Sequence, residues 1–258
     1  MESRSLLVSD LDGTLLGDDE ALDRFAEWYE AHRPSLRLAY ATGRFFDSVA
    51  ALIESTSLPE PDAVIGGVGT EIHFYPGGEP LDHWPRCLVH WDPEGIQAVL
   101  GEFDELEPQP GEFQTEFKLS YYGHHLDSEF LMELRRRLAT AQYRVEIVYS
   151  SDRDLDVLPV GVNKGSAAAF LASRWLLRPP QILVAGDTGN DLAMFMRGYR
   201  GIVVGNAHNE LRSLRYANVY HSEHVNADGV LDGLQYWLNG AEEDAVTASG
   251  PTKGGELW

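Results

Sequence analysis

The sequence is poor in cysteine, in positive charge and in long apolar runs, and each shortage removes a class of answers. Cys87 is the single cysteine, so an internal disulfide is excluded. With no charged-then-apolar leader at its start, the expected setting is a reducing cytoplasm. Lysine and arginine number 20 against 41 aspartates and glutamates, a formal charge of −21. That balance argues against nucleic acid or an anionic membrane surface as the partner, and an anionic substrate has to be drawn by a local positive site. No apolar stretch approaches the roughly 20 residues that cross a bilayer, and no internal repeat is visible. The histidines, among them His83, His90, His124, His125, His221 and His224, lack the i, i+4 helical pairing of a zinc site. They are expected on the surface or in satisfied positions.

What is present is a globular chain of 258 residues, 43% hydrophobic, long enough for one large domain or two smaller ones. Strand-like runs alternate with helical stretches: Leu6 to Ser9, a helix near Leu22 to Ala31, Leu36 to Ala41, a helix near Phe46 to Ser55, then Ala63 to Ile65. The same rhythm returns late, with a helix from Gly165 to Trp175, strands Ile182 to Ala185 and Ile202 to Val204, and a closing helix near Gly229 to Leu238. Such alternation marks a parallel sheet with crossover helices. Between the blocks the texture changes. Helices are expected at Glu94 to Phe103 and Ser128 to Ala139, and strands at Phe117 to Tyr122, Tyr143 to Tyr149 and Leu155 to Leu158. Phe117 to Tyr121 alternates at period two, as for a sheet with one exposed face. The expected fold class is therefore α/β: a Rossmann-like doubly wound parallel sheet core (1–83 and 160–240) with an inserted α+β domain (84–159). Residues 241–258, polar and glycine-containing, read as a flexible tail.

Chemistry concentrates in four short segments, each where a strand is expected to end or a helix to begin. In the first, Asp10 and Asp12 lie two apart at the end of an apolar strand, so their side chains are expected to project together from its carboxyl end. Two neighbouring anions repel unless a cation sits between them or one is protonated. In the second, Thr42-Gly43-Arg44 follows a strand and offers a hydroxyl and backbone N–H groups at an expected helix start, where phosphate oxygens bind. The third, Asn163-Lys164-Gly165, places a lysine at a helix start. The fourth, Gly186-Asp187-Thr188-Gly189-Asn190-Asp191, carries a second strand-end aspartate and another in the following turn. Hard oxygen donors of this kind, completed by water and phosphate, suit Mg²⁺.

Those segments, in that order, resemble the four motifs of the haloacid dehalogenase superfamily of aspartyl phosphatases, and the insertion looks like that superfamily's type II cap. More narrowly, Gly67 to Ile72, Val148 to Pro159 and Val204-Gly205-Asn206-Ala207 are similar to the sucrose-phosphate phosphatase branch, which includes mannosylfructose-phosphate phosphatases. The resemblance implies a Mg²⁺-dependent phosphatase acting on a phosphorylated disaccharide through an aspartyl-phosphate. It makes Asp10 the nucleophile and Asp12 the acid that protonates the leaving sugar oxygen. By the same resemblance Mg²⁺ is held by Asp10, the main-chain carbonyl of Asp12 and Asp187, with Asp191 a further ligand or a water-orienting group. Thr42, the N–H of Gly43, Lys164 and Asn190 hold the remaining phosphate oxygens.

The cap is expected to choose the ester. Sugar pockets need hydroxyl-pairing polar groups near an aromatic face, and Glu116, Lys118, Ser150, Ser151 and Arg153 lie on or beside expected cap strands, where an ordinary solvated sheet face is the competing reading. Trp84 and Trp91 line a cleft or, in the plainer reading, pack at the core or hinge. Asp154-Leu155-Asp156 repeats the paired-acid spacing without a glycine turn and reads as structural or sugar-binding. Alternatives to the phosphatase are a sugar phosphomutase, a phospho-aspartate signalling protein of the receiver type, and a disaccharide-binding protein without catalysis. No partner beyond the sugar phosphate is implied, and a monomer is favoured.

Overall fold

A computed structural model of the chain describes residues 4–81, 83–85 and 91–248. Cys87, His90 and the end of the expected tail, 249–258, lie outside the described residues. The first block runs β1 (Ser5–Ser9), α1 (Asp19–His32), β2 (Leu36–Ala41), α2 (Phe46–Ser55), β3 (Ala63–Gly66) and β4 (Glu71–Phe74). The inserted block runs α3 (Pro93–Leu100), β5 (Glu107–Pro108), β6 (Leu119–Tyr122), α4 (Ser128–Thr140), β7 (Val145–Ser150) and β8 (Asp154–Pro159). The last block runs α5 (Lys164–Arg174), β9 (Ile182–Gly186), α6 (Leu192–Phe195), β10 (Arg200–Val203), α7 (Asn209–Arg212), β11 (Val219–His221) and α8 (Asn226–Ala248). Among the described residues no helix is long and apolar enough to cross a membrane.

The first and last blocks share one seven-stranded sheet in the order β11-β10-β9-β1-β2-β3-β4, parallel except for β4 against β3. β1 is central because nothing in Leu6-Leu7-Val8 tolerates water on either face: all three are fully buried, as expected of a strand covered by helices on both sides. Leu7 lies in register with Leu38 of β2 and Leu183 of β9. α1 is started by Asp18, whose carboxylate accepts from the N–H of Ala21 at 3.0 Å, and its Leu22, Phe25 and Tyr29 are buried. The chain steps outward from β1 through β2 and β3, then crosses back to β9 on the other flank. The order therefore reverses between β1 and β9, and their carboxyl ends frame the crevice where doubly wound sheets hold ligands.

The inserted block makes a second, antiparallel sheet in the order β5-β6-β8-β7, with a hydrophobic core of its own. Ile96 and Leu100 of α3 and Leu134 and Leu138 of α4 bury against Leu119, Tyr121, Leu155 and Val157. The period-two expectation is right about one face and wrong about the other. Lys118, Ser120 and Asp156 are buried as well, because the polar face is turned into the molecule and not toward bulk solvent. Two further differences concern length. β11 was not anticipated, since three residues carry too little periodicity to separate a strand from a loop. α8 continues to Ala248, past Gly240, where the polar composition suggested a tail.

Candidate active site

Asp10 follows β1 directly, and its N–H extends the sheet ladder by one bond to the carbonyl of Ala185 in β9, 3.0 Å away. Asp187 follows β9, and Asp191 closes the turn after it. One carboxylate oxygen from each of these three buried residues lies within 4.8 Å of the others. The turn after Asp10 permits this convergence only because Gly13 has no side chain. Its φ is +83°, and a Cβ there would sit 2.3 Å from Asp187 Oδ2.

Lys164, the first residue of α5, is wholly buried beside the cluster. Asn163 caps the helix, accepting from the N–H of Ser166 while the Ser166 hydroxyl accepts from the N–H of Asn163. The Lys164 ammonium donates to Asp10 Oδ1 at 2.7 Å, Asp191 Oδ1 at 2.7 Å and Asn190 Oδ1 at 2.8 Å. An ammonium has three N–H groups, and all three are engaged. Here Lys164 holds the acids together; to reach a phosphate oxygen, as expected from the sequence, it has to give up one of these bonds. Asp191 is similarly committed, since its Oδ2 accepts from the N–H groups of Asp187 and Thr188 at 3.0 and 3.2 Å. It braces the loop and the lysine more directly than it faces the cavity.

Burial dominates the electrostatics. It pushes the Asp10 carboxyl up to about 7, with Lys164 opposing and the neighbouring Asp191 and Asp12 adding to the rise. It pushes Asp187 up to about 8, reinforced by Asp191 and Asp10. For Lys164 burial works against the charged form, but Asp10 and Asp191 outweigh it and the pKa rises. Three buried acids against one ammonium leave an excess of negative charge.

The position of Lys164 is set from behind by the turn between β3 and β4. Gly69, at φ +101°, lies so close that a Cβ would stand 2.3 Å from the carbonyl carbon of Asn163 and 2.7 Å from the nitrogen of Lys164. Gly69→Ala is therefore expected to cost about 2 kcal/mol or more and to lower turnover at least ~10-fold by displacing the lysine. Thermal unfolding and a phosphatase assay check this together; wild-type behaviour in both would show that the turn yields without moving α5.

Asp12 shares the cavity with Asp10, but not for the reason the spacing suggested. β1 ends at Ser9 with Asp10 extending its ladder by one bond, whereas Asp12 lies in a turn wrapped on the carbonyl of Leu11, which accepts from the N–H groups of Thr14, Leu15 and Leu16. The Asp12 carboxylate is 54% exposed and stands apart from the acid cluster. Arg44 grips it with both arms, Nε to Oδ2 at 2.8 Å and Nη2 to Oδ1 at 2.6 Å. Arg44 was visible in the second motif but had been given no role. The same motif needs a correction. α2 begins at Phe46, as expected, and its first N–H donates to Glu71 Oε1 at 2.7 Å, but Thr42 and Gly43 sit on the loop before the helix and not at its start. Thr42 is fully buried and its hydroxyl oxygen accepts from the N–H of Arg44 at 3.1 Å. Gly43 lines the cavity, whereas Thr42 is not on its wall.

The cavity has a volume of ≈ 820 Å³, within the range of small-molecule sites. Asp10, Asp12, Asp187, Thr188 and Asn190 form its floor, and its roof is the polar face of the second sheet. Register sets Ser120 beside Asp156 and Asp154 beside both Tyr122 and Ser150, a polar stripe across neighbouring strands. Of the expected sugar contacts, Lys118, Ser150, Ser151 and Arg153 line the cavity. Glu116 does not: it is exposed, and its carbonyl accepts from Trp91 Nε1. The glutamate at the wall is Glu112, next to Phe113 and Gln109, in a single 3-10 turn too short to give a readable period. Lys118 pairs with Asp156 Oδ1 at 2.9 Å, and that oxygen also accepts from the Ser120 hydroxyl at 2.7 Å. The repeated Asp154-Leu155-Asp156 spacing was the available signal for this buried group. Trp84 takes the plainer of its two readings, packing at a tilt against Phe170 with ring centroids 5.1 Å apart and donating to the carbonyl of Gly69, and Trp91 packs against the core of the inserted block.

Comparison with known proteins agrees with this geometry. The sequence model of the family Sucrose-6F-phosphate phosphohydrolase matches residues 3–238. A mannosylfructose-phosphate phosphatase from Agrobacterium fabrum is 40% identical over 243 residues, covering 92% of this chain and 98% of the relative. A probable sucrose-phosphatase from Arabidopsis thaliana is 33% identical over 252 residues, covering 90% of this chain but 59% of the longer plant protein. Among solved structures, the sucrose-phosphatase of Synechocystis in complex with sucrose and phosphate superposes with a TM-score of 0.85 at 34% identity, covering 91% of this chain and 98% of that one.

Proposed function

Because this chain belongs to the sucrose-6F-phosphate phosphohydrolase family within the haloacid dehalogenase superfamily, we propose that its Asp10 attacks the phosphorus of a phosphorylated disaccharide. The protein is a phosphoric monoester hydrolase with an α/β fold, acting on a sugar phosphate. What carries the reading of the site is the buried Asp10, Asp187 and Asp191 cluster with Lys164, lying beneath a cavity whose roof is polar.

The cluster fits a divalent cation. Its donors are hard carboxylate oxygens, its net charge is negative, and burial has already pushed two of its acids toward holding protons that a cation would replace. Asp10 and Asp187, with the main-chain carbonyl of Asp12, would hold Mg²⁺, which when bound neutralises phosphate charge and polarises the ester. The chain's own groups do the rest. Lys164 occupies Asp10 Oδ1, leaving Oδ2 to attack phosphorus and form an aspartyl-phosphate as the P–O bond to the sugar breaks. Asp12 gives its proton to the departing sugar oxygen, then takes one from the water that hydrolyses the acyl phosphate. For this Asp12 must leave the bidentate grip of Arg44, which lines the cavity and is placed to turn to the ester. The N–H of Gly43 and the side chains of Thr188 and Asn190 remain at the floor for the phosphate oxygens. Lys118, Asp156, Ser150, Ser151, Arg153, Gln109 and Glu112 offer donors and acceptors to sugar hydroxyls, with Phe113 and Tyr122 as apolar faces.

A pH-dependent metal effect follows. Asp10 and Asp187 are raised from 3.8 to about 7 and about 8, so the metal-free folded state keeps protons that the unfolded chain has released. Their contribution to stability is full below about pH 4 and is lost as pH rises through 7 to 8. Binding Mg²⁺ requires the carboxylates deprotonated, so its benefit grows over that window. At about a hundredfold excess over its Kd, Mg²⁺ is expected to raise Tm by roughly 5–10 °C at pH 8.5 and by far less at pH 5. Calorimetry at both values decides, and equal shifts would place the cation elsewhere.

The substrate reading is tested by phosphate release from sucrose 6-phosphate, mannosylfructose phosphate and glucose 6-phosphate with Mg²⁺. A preference of ~10²-fold or more in kcat/KM, about 3 kcal/mol, for one disaccharide ester is the expected result. Uniform slow hydrolysis of all three would remove the disaccharide assignment.

A further inference from the structure

The turn that carries Asp12 is held from outside by two side-chain amides that belong to neither the acid cluster nor the cavity wall. Asn206, on the loop after β10, donates from Nδ2 to the carbonyl of Gly13 at 2.7 Å. Asn226, the first residue of α8, donates from Nδ2 to the same carbonyl at 3.1 Å and to the carbonyl of Leu16 at 2.8 Å. The two are also joined to each other, since the N–H of Asn226 donates to Asn206 Oδ1 at 2.9 Å. That last bond fixes the amide orientation: with Oδ1 accepting, Nδ2 is the atom left to face Gly13. Asn226 adopts a φ of +50°, a conformation asparagine tolerates better than other side-chain-bearing residues.

From this the geometry points to Asn206 and Asn226 as positioning residues, a clasp that holds the Gly13 to Leu16 turn so that Asp12 presents its carboxyl at the leaving-group side of the site. The inference deepens the reaction proposed above and rests on it. On the inner side the Gly13 to Leu16 turn is folded on the Leu11 carbonyl and tied to Asp187 by the Thr14 hydroxyl at 3.2 Å. On the outer side the clasp engages both the Gly13 and the Leu16 carbonyl. Without it the peptide between Gly13 and Thr14 is held from one side alone, by the Thr14 N–H on the Leu11 carbonyl at 3.2 Å, and the backbone on the carboxyl side of Asp12 loses its outer reference. Asp12 has little else to fix it, because its carboxylate is half exposed and Arg44 must release it during turnover. Asn206 is itself exposed, so each clasp bond adds little to stability, about 1 kcal/mol by ordinary hydrogen-bond exchange with water. Its effect belongs to geometry, where a shift of about 1 Å costs up to ~10² in rate.

Asn206→Asp tests the clasp almost isosterically: the acceptor for Asn226 survives, but an oxygen now opposes the Gly13 carbonyl. Asn226→Gly removes the other two donations while keeping the positive φ. The readout is kcat/KM for two leaving groups, the fastest sugar ester of the panel above and p-nitrophenyl phosphate, whose phenolate departs without needing a proton. Both variants are expected to lose at least ~10-fold on the sugar ester and less than about 3-fold on the aryl ester, with Tm lowered by about 4 °C or less for Asn206→Asp and by about 4–8 °C for Asn226→Gly. Equal losses on both esters, or no loss on either, would overturn the clasp. Asp12→Asn, assayed alongside, separates the two levels of the proposal. If it too shows no leaving-group selectivity, the acid role of Asp12 fails and the clasp falls with it. If it is selective and the asparagine variants are not, the clasp alone is wrong.

Discussion

Asp10→Asn abolishes turnover, by at least about 10⁴-fold on the scale typical of a lost catalytic nucleophile, while leaving the metal-free protein at least as stable as wild type. The two halves of this expectation come from one fact. Asp10 is buried among acids, and burial pushes its carboxyl up to about 7, so the folded state bears an electrostatic penalty for the ionised oxygen that attacks phosphorus. An amide of the same shape removes that penalty and still offers Lys164 an oxygen acceptor at the place where Oδ1 now lies 2.7 Å away. It cannot form an acyl phosphate at a useful rate, because the amide oxygen is a far weaker nucleophile than a carboxylate. Phosphate release and thermal unfolding of the purified variant test both halves. A tenth of wild-type activity remaining would remove Asp10 from its role, and a large drop in Tm would mean the carboxylate is a structural anchor.

Lys164→Met makes the opposite trade. Methionine approximates the length and apolar stem of lysine but leaves Asp10, Asp191 and Asn190 without the ammonium that each now contacts at 2.7 to 2.8 Å. Removing one partner from a buried charge pair typically costs 3–5 kcal/mol, and here two carboxylates lose it together. The variant is expected to be destabilised by about that amount at pH 8 and by less at pH 5, where the abandoned acids can take up protons. Its activity is expected to fall by ~10³ or more, since both nucleophile placement and charge neutralisation go. Denaturant unfolding at the two pH values, with a parallel assay, checks it. A stability loss that does not depend on pH would mean that the lysine acts through packing of its stem.

These residues were legible in the sequence because the chemistry forces rare residue types to strand ends. A carboxylate directly after Leu6-Leu7-Val8-Ser9, and another directly after Ile182-Leu183-Val184-Ala185-Gly186, have no packing reason to be there. The parallel sheet was legible for a related reason, as uninterrupted apolar runs alternating with amphipathic helices leave few other arrangements. Contacts that depend on where two distant loops meet were not legible. Arg44 sits in plain view, yet its grip on Asp12 depends on how the turn after β1 folds against the loop after β2. Glu116 and Glu112 are four residues apart, and which one reaches the cavity wall is decided by a single 3-10 turn, Gly111–Phe113, too short to leave a pattern in the sequence. For the polar face of the inserted sheet, sugar-binding and solvated readings compete in the sequence, because alternation reports two faces without saying what covers the second. Asn206 and Asn226 drew no notice as a pair, since asparagine in a loop is ordinary and their partner is a backbone carbonyl.

The inserted sheet encloses its own apolar interior of Ile96, Leu100, Leu134, Leu138, Leu155 and Val157, distinct from the one around β1. In the function proposed above, recognition falls to the residues over one apolar interior and bond-breaking to those over the other. On that proposal, drift at Gln109, Glu112 or Arg153 would retune which ester is admitted without eroding the framework that holds Asp10, and the scaffold would be open to retargeting by exchanging its roof while its floor stays untouched.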